Sequence, residues 1–196
     1  SGVTNEQVLL ADTRNKTPVS WSPDGKFVLY STGAFVVGNS DLWLLPIGAS
    51  QKPTPFLQTP FNETYGRFSP DGRWVAYVSN ETGSSELYVT HFPGPKGKWP
   101  ISTDGGNYPR WRADGRELFY VARDGTLMAA AVNGQGQEFE VTGVRPLFGL
   151  RTNAGGRYPY DVSADGQRFL VNTIVETATQ PPITLVVNWA SALRTP

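Results

Sequence analysis

A chain of 196 residues with 39% hydrophobic side chains can bury one sizeable core or two small ones. Its 17 basic and 17 acidic residues cancel, so no long-range field draws it to nucleic acid or to an anionic membrane. It has no cysteine and one histidine, which excludes disulfides, thiol catalysis and thiolate metal sites and makes any transition-metal site a poor fit.

The 21 glycines and 16 prolines imply many turns and favour an all-β chain. No apolar run approaches the ~20 residues of a membrane span, so no direct membrane insertion is expected. The chain opens "SGVTNEQVLL" without a methionine or a visible leader, as in a cloned fragment or a processed product.

In chain order, the first predicted strand is "EQVLLAD" (6–12). Next comes "TPVSWS", a turn "SPDG", and the strand "KFVLYS". "DLWLLPI" (41–47) and "TPFLQT" (54–59) follow as two more strands. The pattern then repeats. "TYGRFS" leads through "SPDG" to "RWVAYVS", "ELYVTHF" (86–92) and "KWPIST" (98–103). "NYPRWR" leads through "RADG" to "RELFYVA", "TLMAAAV" (126–132) and "RPLFGL" (145–150). "RYPYDVS" leads through "SADG" to "QRFLVNT" and "ITLVVNW" (183–189).

Aligned on Asp24, Asp71, Asp114 and Asp165, the copies are 47, 43 and 51 residues apart. A period near fifty marks a repeat architecture. "SPDG" suits a type I turn, in which Ser bonds the backbone, Pro presets φ and Gly takes the left-handed position, and the Ala of "RADG" and "SADG" is tolerated there. The apolar run after each turn suits a strand buried on both faces. Four antiparallel strands, repeated four times, make an all-β β-propeller. Its units run roughly 13–59, 60–103, 104–150 and 151–196. Strand 6–12 then serves as an outer clasp or as the remnant of a preceding blade. Three forms remain open: a whole small propeller, half of a dimeric ring, or a fragment of a larger propeller. A sandwich has no need of so regular a period.

The "W-S-P-D-G-K/R-x-x-x-Y" units followed by "D-L-W" or "E-L-Y" strands resemble the TolB-like, WD-repeat-like propellers of bacteria. "PRWRADGRELFY" and "DVSADGQRFLVNT" further resemble the C-terminal propeller region of bacterial proteins often fused to a serine/threonine kinase domain. The resemblance implies a sensing or binding module of a larger protein, in an extracytoplasmic location, periplasmic or membrane-tethered. It also implies six to eight blades, against four here.

The sequence offers little chemistry. His91, in a strand, has no triad partners nearby, and no nucleophile elbow, dinucleotide loop or phosphate loop occurs. The four aligned Asp residues read as turn formers, not as glycosidase acids or calcium ligands. Asn15, Asn62 and Asn80 head sequons and read as polar loop residues. No catalytic residue, cofactor or metal is expected, and the chain reads as a non-catalytic binding or sensory scaffold. An accessory propeller of a peptidase or other hydrolase, or a structural spacer, is the alternative.

The first strand of each blade lines a propeller's channel. Tyr65, Arg67, Tyr108, Arg110, Tyr158, Tyr160 and Asp161 fall on those strands here, and Tyr with Arg dominates protein interfaces. They form a predicted partner-binding channel mouth for a protein or peptide ligand. A homodimer, or upstream modules of a longer chain, would be the other partners. Trp21, Phe68, Trp74, Trp111 and Tyr120 recur at fixed repeat positions and read as core between blades.

Overall fold

A computed structural model of the chain describes residues 8–33, 39–48, 52–151, 159–173 and 183–187. Fifteen strands form four antiparallel sheets in chain order. Blade 1 holds β1 (Lys16–Trp21), β2 (Phe27–Thr32), β3 (Leu42–Pro46) and β4 (Thr54–Leu57). Blade 2 holds β5 (Glu63–Phe68), β6 (Trp74–Ser79), β7 (Glu86–His91) and β8 (Trp99–Pro100). Blade 3 holds β9 (Asn107–Trp111), β10 (Glu117–Val121), β11 (Thr126–Asn133) and β12 (Glu140–Gly149). Blade 4 holds β13 (Tyr160–Val162), β14 (Arg168–Asn172) and β15 (Ile183–Val187). No helix occurs among the described residues.

The repeated turn explains why the first two strands of each blade register alike. In blade 1 the Ser22 hydroxyl donates to Asp24 at 2.7 Å while its oxygen accepts the Phe27 N–H at 2.9 Å. Asp24 in turn accepts the Lys26 N–H at 3.1 Å. These bonds to Ser22 and Lys26 hold the Asp24 carboxyl below its ordinary pKa. Blades 2 and 4 repeat the device with Ser69 and Ser163, whose oxygens accept from Trp74 and Arg168 at 3.0 Å each. Blade 3 has Arg112 in the serine's place and substitutes an ion pair, Arg112 to Asp114 at 2.9 Å. Gly25, Gly72, Gly115 and Gly166 close the four turns with φ between 70° and 73°, a region that favours residues without a Cβ. The anchor pairs are therefore equivalent: Trp21 with Val28, Phe68 with Val75, Trp111 with Leu118, and Val162 with Phe169.

Three cores join the blades in succession. Val19, Leu29, Leu42, Leu44 and Phe56 of blade 1 meet Phe68, Val75, Tyr77 and Tyr88 of blade 2. Trp74, Ala76, Val78, Leu87 and Val89 of blade 2 meet Leu118, Tyr120, Ala130, Val132 and Phe139 of blade 3. Phe119, Val121, Leu127, Ala129 and Leu147 of blade 3 meet Tyr160, Phe169 and Val171 of blade 4. The central strands of blades 2 and 3 thus feed two cores each, and β6, with a neighbour on both sides, is buried at all six positions. Strand β14, with a core on one side, alternates between exposed and buried.

Two expectations need correction. Residues 8–12 form no strand, and 6 and 7 lie outside the described residues. Val8, Leu9 and Leu10 instead border an apolar groove on blade 1. Ion pairs from Asp12 to Arg14 and to Lys16 bind the segment to itself and to the start of β1. Trp21 is not core: it is exposed, with no strand of the described residues packed over it. Phe68, Trp74 and Tyr120 are buried, and Trp111 packs half-buried on the blade 2–3 core. The asparagines of two sequons stitch loops: Asn62 accepts the Ser40 N–H at 3.0 Å, and its own N–H donates to Asn80 at 2.8 Å.

Candidate functional site

The site grows from a bulge in the first strand of blades 1, 2 and 3. The pairing of β1, β5 and β9 with the next strand slips at Pro18–Ser20, between Thr64 and Arg67, and opposite Phe119–Val121. The extra residue bends the strand and re-aims its side chains. In blades 2 and 3 the bulge holds a tyrosine in the left-handed region, Tyr65 at φ 54° and Tyr108 at φ 58°. Left-handed backbone is uncommon for a bulky side chain. The bulge does not demand it, since blade 1 makes the same slip with Pro18, whose ring fixes φ negative.

The two tyrosines meet. Their ring centroids lie 4.7 Å apart at 61°, an edge-to-face contact across adjacent blades. Both are half-buried. Hydrogen bonds tie the neighbouring strands: Phe68 N–H to Ser20 Oγ at 3.2 Å, and the Trp111 indole N–H to the Arg67 carbonyl at 3.1 Å. Arg110 donates to Asp161 at 3.3 Å and to its neighbour's carbonyl, Pro109, at 3.0 Å. Asp161 is exposed, whereas Arg110 is largely covered.

Tyr160 differs from its companions. It is buried, and its hydroxyl donates to the Tyr108 carbonyl at 2.9 Å. Burial pushes that hydroxyl's pKa upward. Its role is to hold the Tyr108 backbone. Tyr158 lies outside the described residues. The structure thus gathers Tyr65, Arg67, Tyr108, Arg110, Tyr160 and Asp161 on neighbouring first strands. The sequence did not show the left-handed backbone, because nothing in "TYGRF" or "NYPRW" specifies φ at the tyrosine.

Other features went unpredicted. Glu63 is buried; one oxygen accepts from the Thr59 hydroxyl at 2.5 Å and the other, Oε2, has no partner. Desolvation raises its pKa, the Thr59 bond opposes this, and the charge of Asp41 adds to the rise. Glu86, by contrast, is satisfied by Ser84, Ser102 and the Gly105 N–H. Between blades 2 and 3 lies a cavity of about 510 Å³, bordered by Asp71, Trp111, Asp114 and Asn133. His91 rests edge-on against Trp74 at 5.3 Å. No cluster of three or more metal-ligating side chains occurs among the described residues.

No protein-family model matches the chain, and no curated protein does. Solved structures do. TolB from Acinetobacter baumannii superposes with a TM-score of 0.67 at 19% identity, over 89% of this chain and 41% of that one. The chain has a TolB-like β-propeller fold. An oligogalacturonate lyase in complex with manganese matches this TolB-like propeller with a TM-score of 0.57 at 15% identity, over 86% of this chain and 47% of the lyase. The periplasmic gluconolactonase PpgL of Pseudomonas aeruginosa matches at 0.51 and 16%, over 87% and 57%. The chain therefore spans about half the length of these propellers. At such identities the likeness concerns the fold alone.

The lyase and the lactonase correct the expectation that this chain is no enzyme. Propellers of this fold include enzymes, so the absence of a nucleophile elbow, a nucleotide loop or a His-centred triad does not exclude catalysis. Those motifs belong to other folds, and a propeller gathers its polar groups from separate blades.

Proposed function

We propose that this TolB-like propeller is a scaffold module that binds a protein or peptide at the channel-mouth strands. Tyr65 and Tyr108 supply the apolar contact, with Arg67, Arg110 and Asp161 as polar rim. One observation carries the reading: two non-glycine residues, at equivalent places in adjacent blades, hold left-handed backbone that the bulge itself does not need. Strain of this kind collects where a side chain is aimed for a purpose. Large, rigid aromatics flanked by charge are also the usual anchors of an interface.

The likeness to TolB and to a periplasmic lactonase supports an extracytoplasmic setting. The share of TolB that is spanned supports a module within a larger bacterial protein.

A displayed library of random peptides, selected on the wild-type chain, provides the test. The expected result is a peptide whose affinity drops at least tenfold when Tyr65 and Tyr108 become Ala, with a further loss when Arg67 and Arg110 also change. Selected peptides that bind the quadruple variant as well as wild type would remove the channel mouth from consideration.

A further inference from the structure

The seam between blades 2 and 3 differs from the seam between blades 1 and 2 at one repeat position. Ile47, Phe92 and Val132 stand at the end of the third strand of their blades. Each donates its N–H to the carbonyl two residues after the turn aspartate, on Lys26, Arg73 and Arg116, at 2.8, 2.8 and 2.9 Å. In the first seam Phe92 is the filler. Its ring meets Phe27 of blade 1 at 5.6 Å and the anchor Phe68 at 5.0 Å, both edge-on. In the second seam the equivalent residue is Val132. The aromatic contact comes instead from Phe139, which meets Trp74 of blade 2 at 5.1 Å and the anchor Trp111 at 6.1 Å. Beside Val132 lies the cavity of about 510 Å³, walled by Trp111 and Phe139. That size falls within the range of small-molecule sites, roughly 300–1,000 Å³.

The cavity's polar groups define what it can hold. Asp71 uses Oδ1 for both its bonds, from the Ser69 hydroxyl and the Arg73 N–H, so Oδ2 has no partner among the described residues. Asn133 uses Oδ1 to accept the Gln135 N–H at 3.2 Å, which leaves its amide N–H groups to donate. The Trp111 indole N–H is engaged by the Arg67 carbonyl, so its ring offers carbon faces alone. Charge at the cavity balances: Arg116 stands against Asp71, and Asp114 is paired with Arg112 at 2.9 Å. A cationic guest would need an excess of carboxylates there, and an anionic guest an excess of guanidinium. Hydroxyl groups both donate and accept, which suits one acceptor set beside amide donors.

We propose that this cavity is a carbohydrate site for a neutral pyranose. The C–H face of the sugar lies on Trp111, one hydroxyl donates to Asp71 Oδ2, and another accepts from Asn133. The proposal does not depend on the channel-mouth reading.

Saturation-transfer NMR tests it, with methyl α-glucoside, methyl β-galactoside, methyl α-mannoside and N-acetylglucosamine as probes. The expected result is transfer to the ring protons of at least one probe, with a Kd on the order of 1 mM. Val132→Phe, which repeats the filler of the first seam, should abolish the transfer in a chain that still unfolds cooperatively. Asn133→Ala, at an exposed side chain, should weaken binding about tenfold and carries the test should Val132→Phe not fold. Tighter binding of maltotetraose than of the glucoside would support the proposal with a glycan as source, and equal binding would support it with a free sugar. No transfer to any probe, or transfer that both folded variants retain, would overturn it. So would argininamide or acetate binding more tightly than every sugar and losing that binding in Asn133→Ala.

Discussion

Tyr65 and Tyr108 show how one residue can break its own backbone preference when its neighbours hold it. Gly66, just after Tyr65, lets the bulged strand approach blade 1: a Cβ there would lie 2.5 Å from Leu29 Cδ2 and 3.1 Å from Leu42 Cδ1. Both leucines are fully buried and have no room to yield. Gly66→Ala should cost about 2 kcal/mol by overpacking, seen as a lower urea midpoint with an unchanged slope. An unaltered midpoint would mean the core there is loose. Glu63 offers a second test. Its pKa is raised by burial, so the folded state holds the proton to higher pH than the unfolded chain does. Its contribution to stability is therefore full below the unfolded value and is lost as pH rises through the folded one. Glu63→Gln should match wild type near pH 4 and exceed it by on the order of 1 kcal/mol at pH 8. Equal differences at both pH values in urea unfolding would refute this account.

Within an element, the turn serines do more than close a loop. The Ser69 oxygen accepts the buried Trp74 N–H at 3.0 Å while its hydroxyl donates to Asp71. Ser69→Ala leaves a buried donor unpaired and should cost about 1–2 kcal/mol in chemical denaturation. The equivalent change at Ser163, whose bond to Arg168 is exposed, should cost distinctly less, because water replaces the lost acceptor. A similar loss at both sites would show that turn geometry, not burial, sets the energy.

Across the whole molecule, Trp74 binds blade 2 to blade 3. Its indole N–H donates to the Gly134 carbonyl at 2.9 Å, and its ring meets Trp99 at 5.2 Å and Phe139 at 5.1 Å. Trp74→Ala should remove about 3–5 kcal/mol. Because each core joins only consecutive blades, the loss should split unfolding into two transitions by calorimetry, as in other stacked-repeat arrays. A single sharp transition at lower temperature would indicate one cooperative unit.

The repeat, the turn chemistry and the four-stranded blade were legible in the sequence, because each depends on local pattern: an Asp-Gly pair, alternating turn and strand, and a fixed spacing. The gathering of Arg110 with Asp161 and of Tyr65 with Tyr108 could be expected from strand position alone. What the chain's own order could not decide was which side of a blade has a neighbour. Trp21 and Phe68 occupy the same repeat position, yet only Phe68 is buried, since burial depends on whether another blade stands opposite. The left-handed tyrosines and the half-satisfied Glu63 arise where blades meet, and contacts between distant segments become visible only in the tertiary structure.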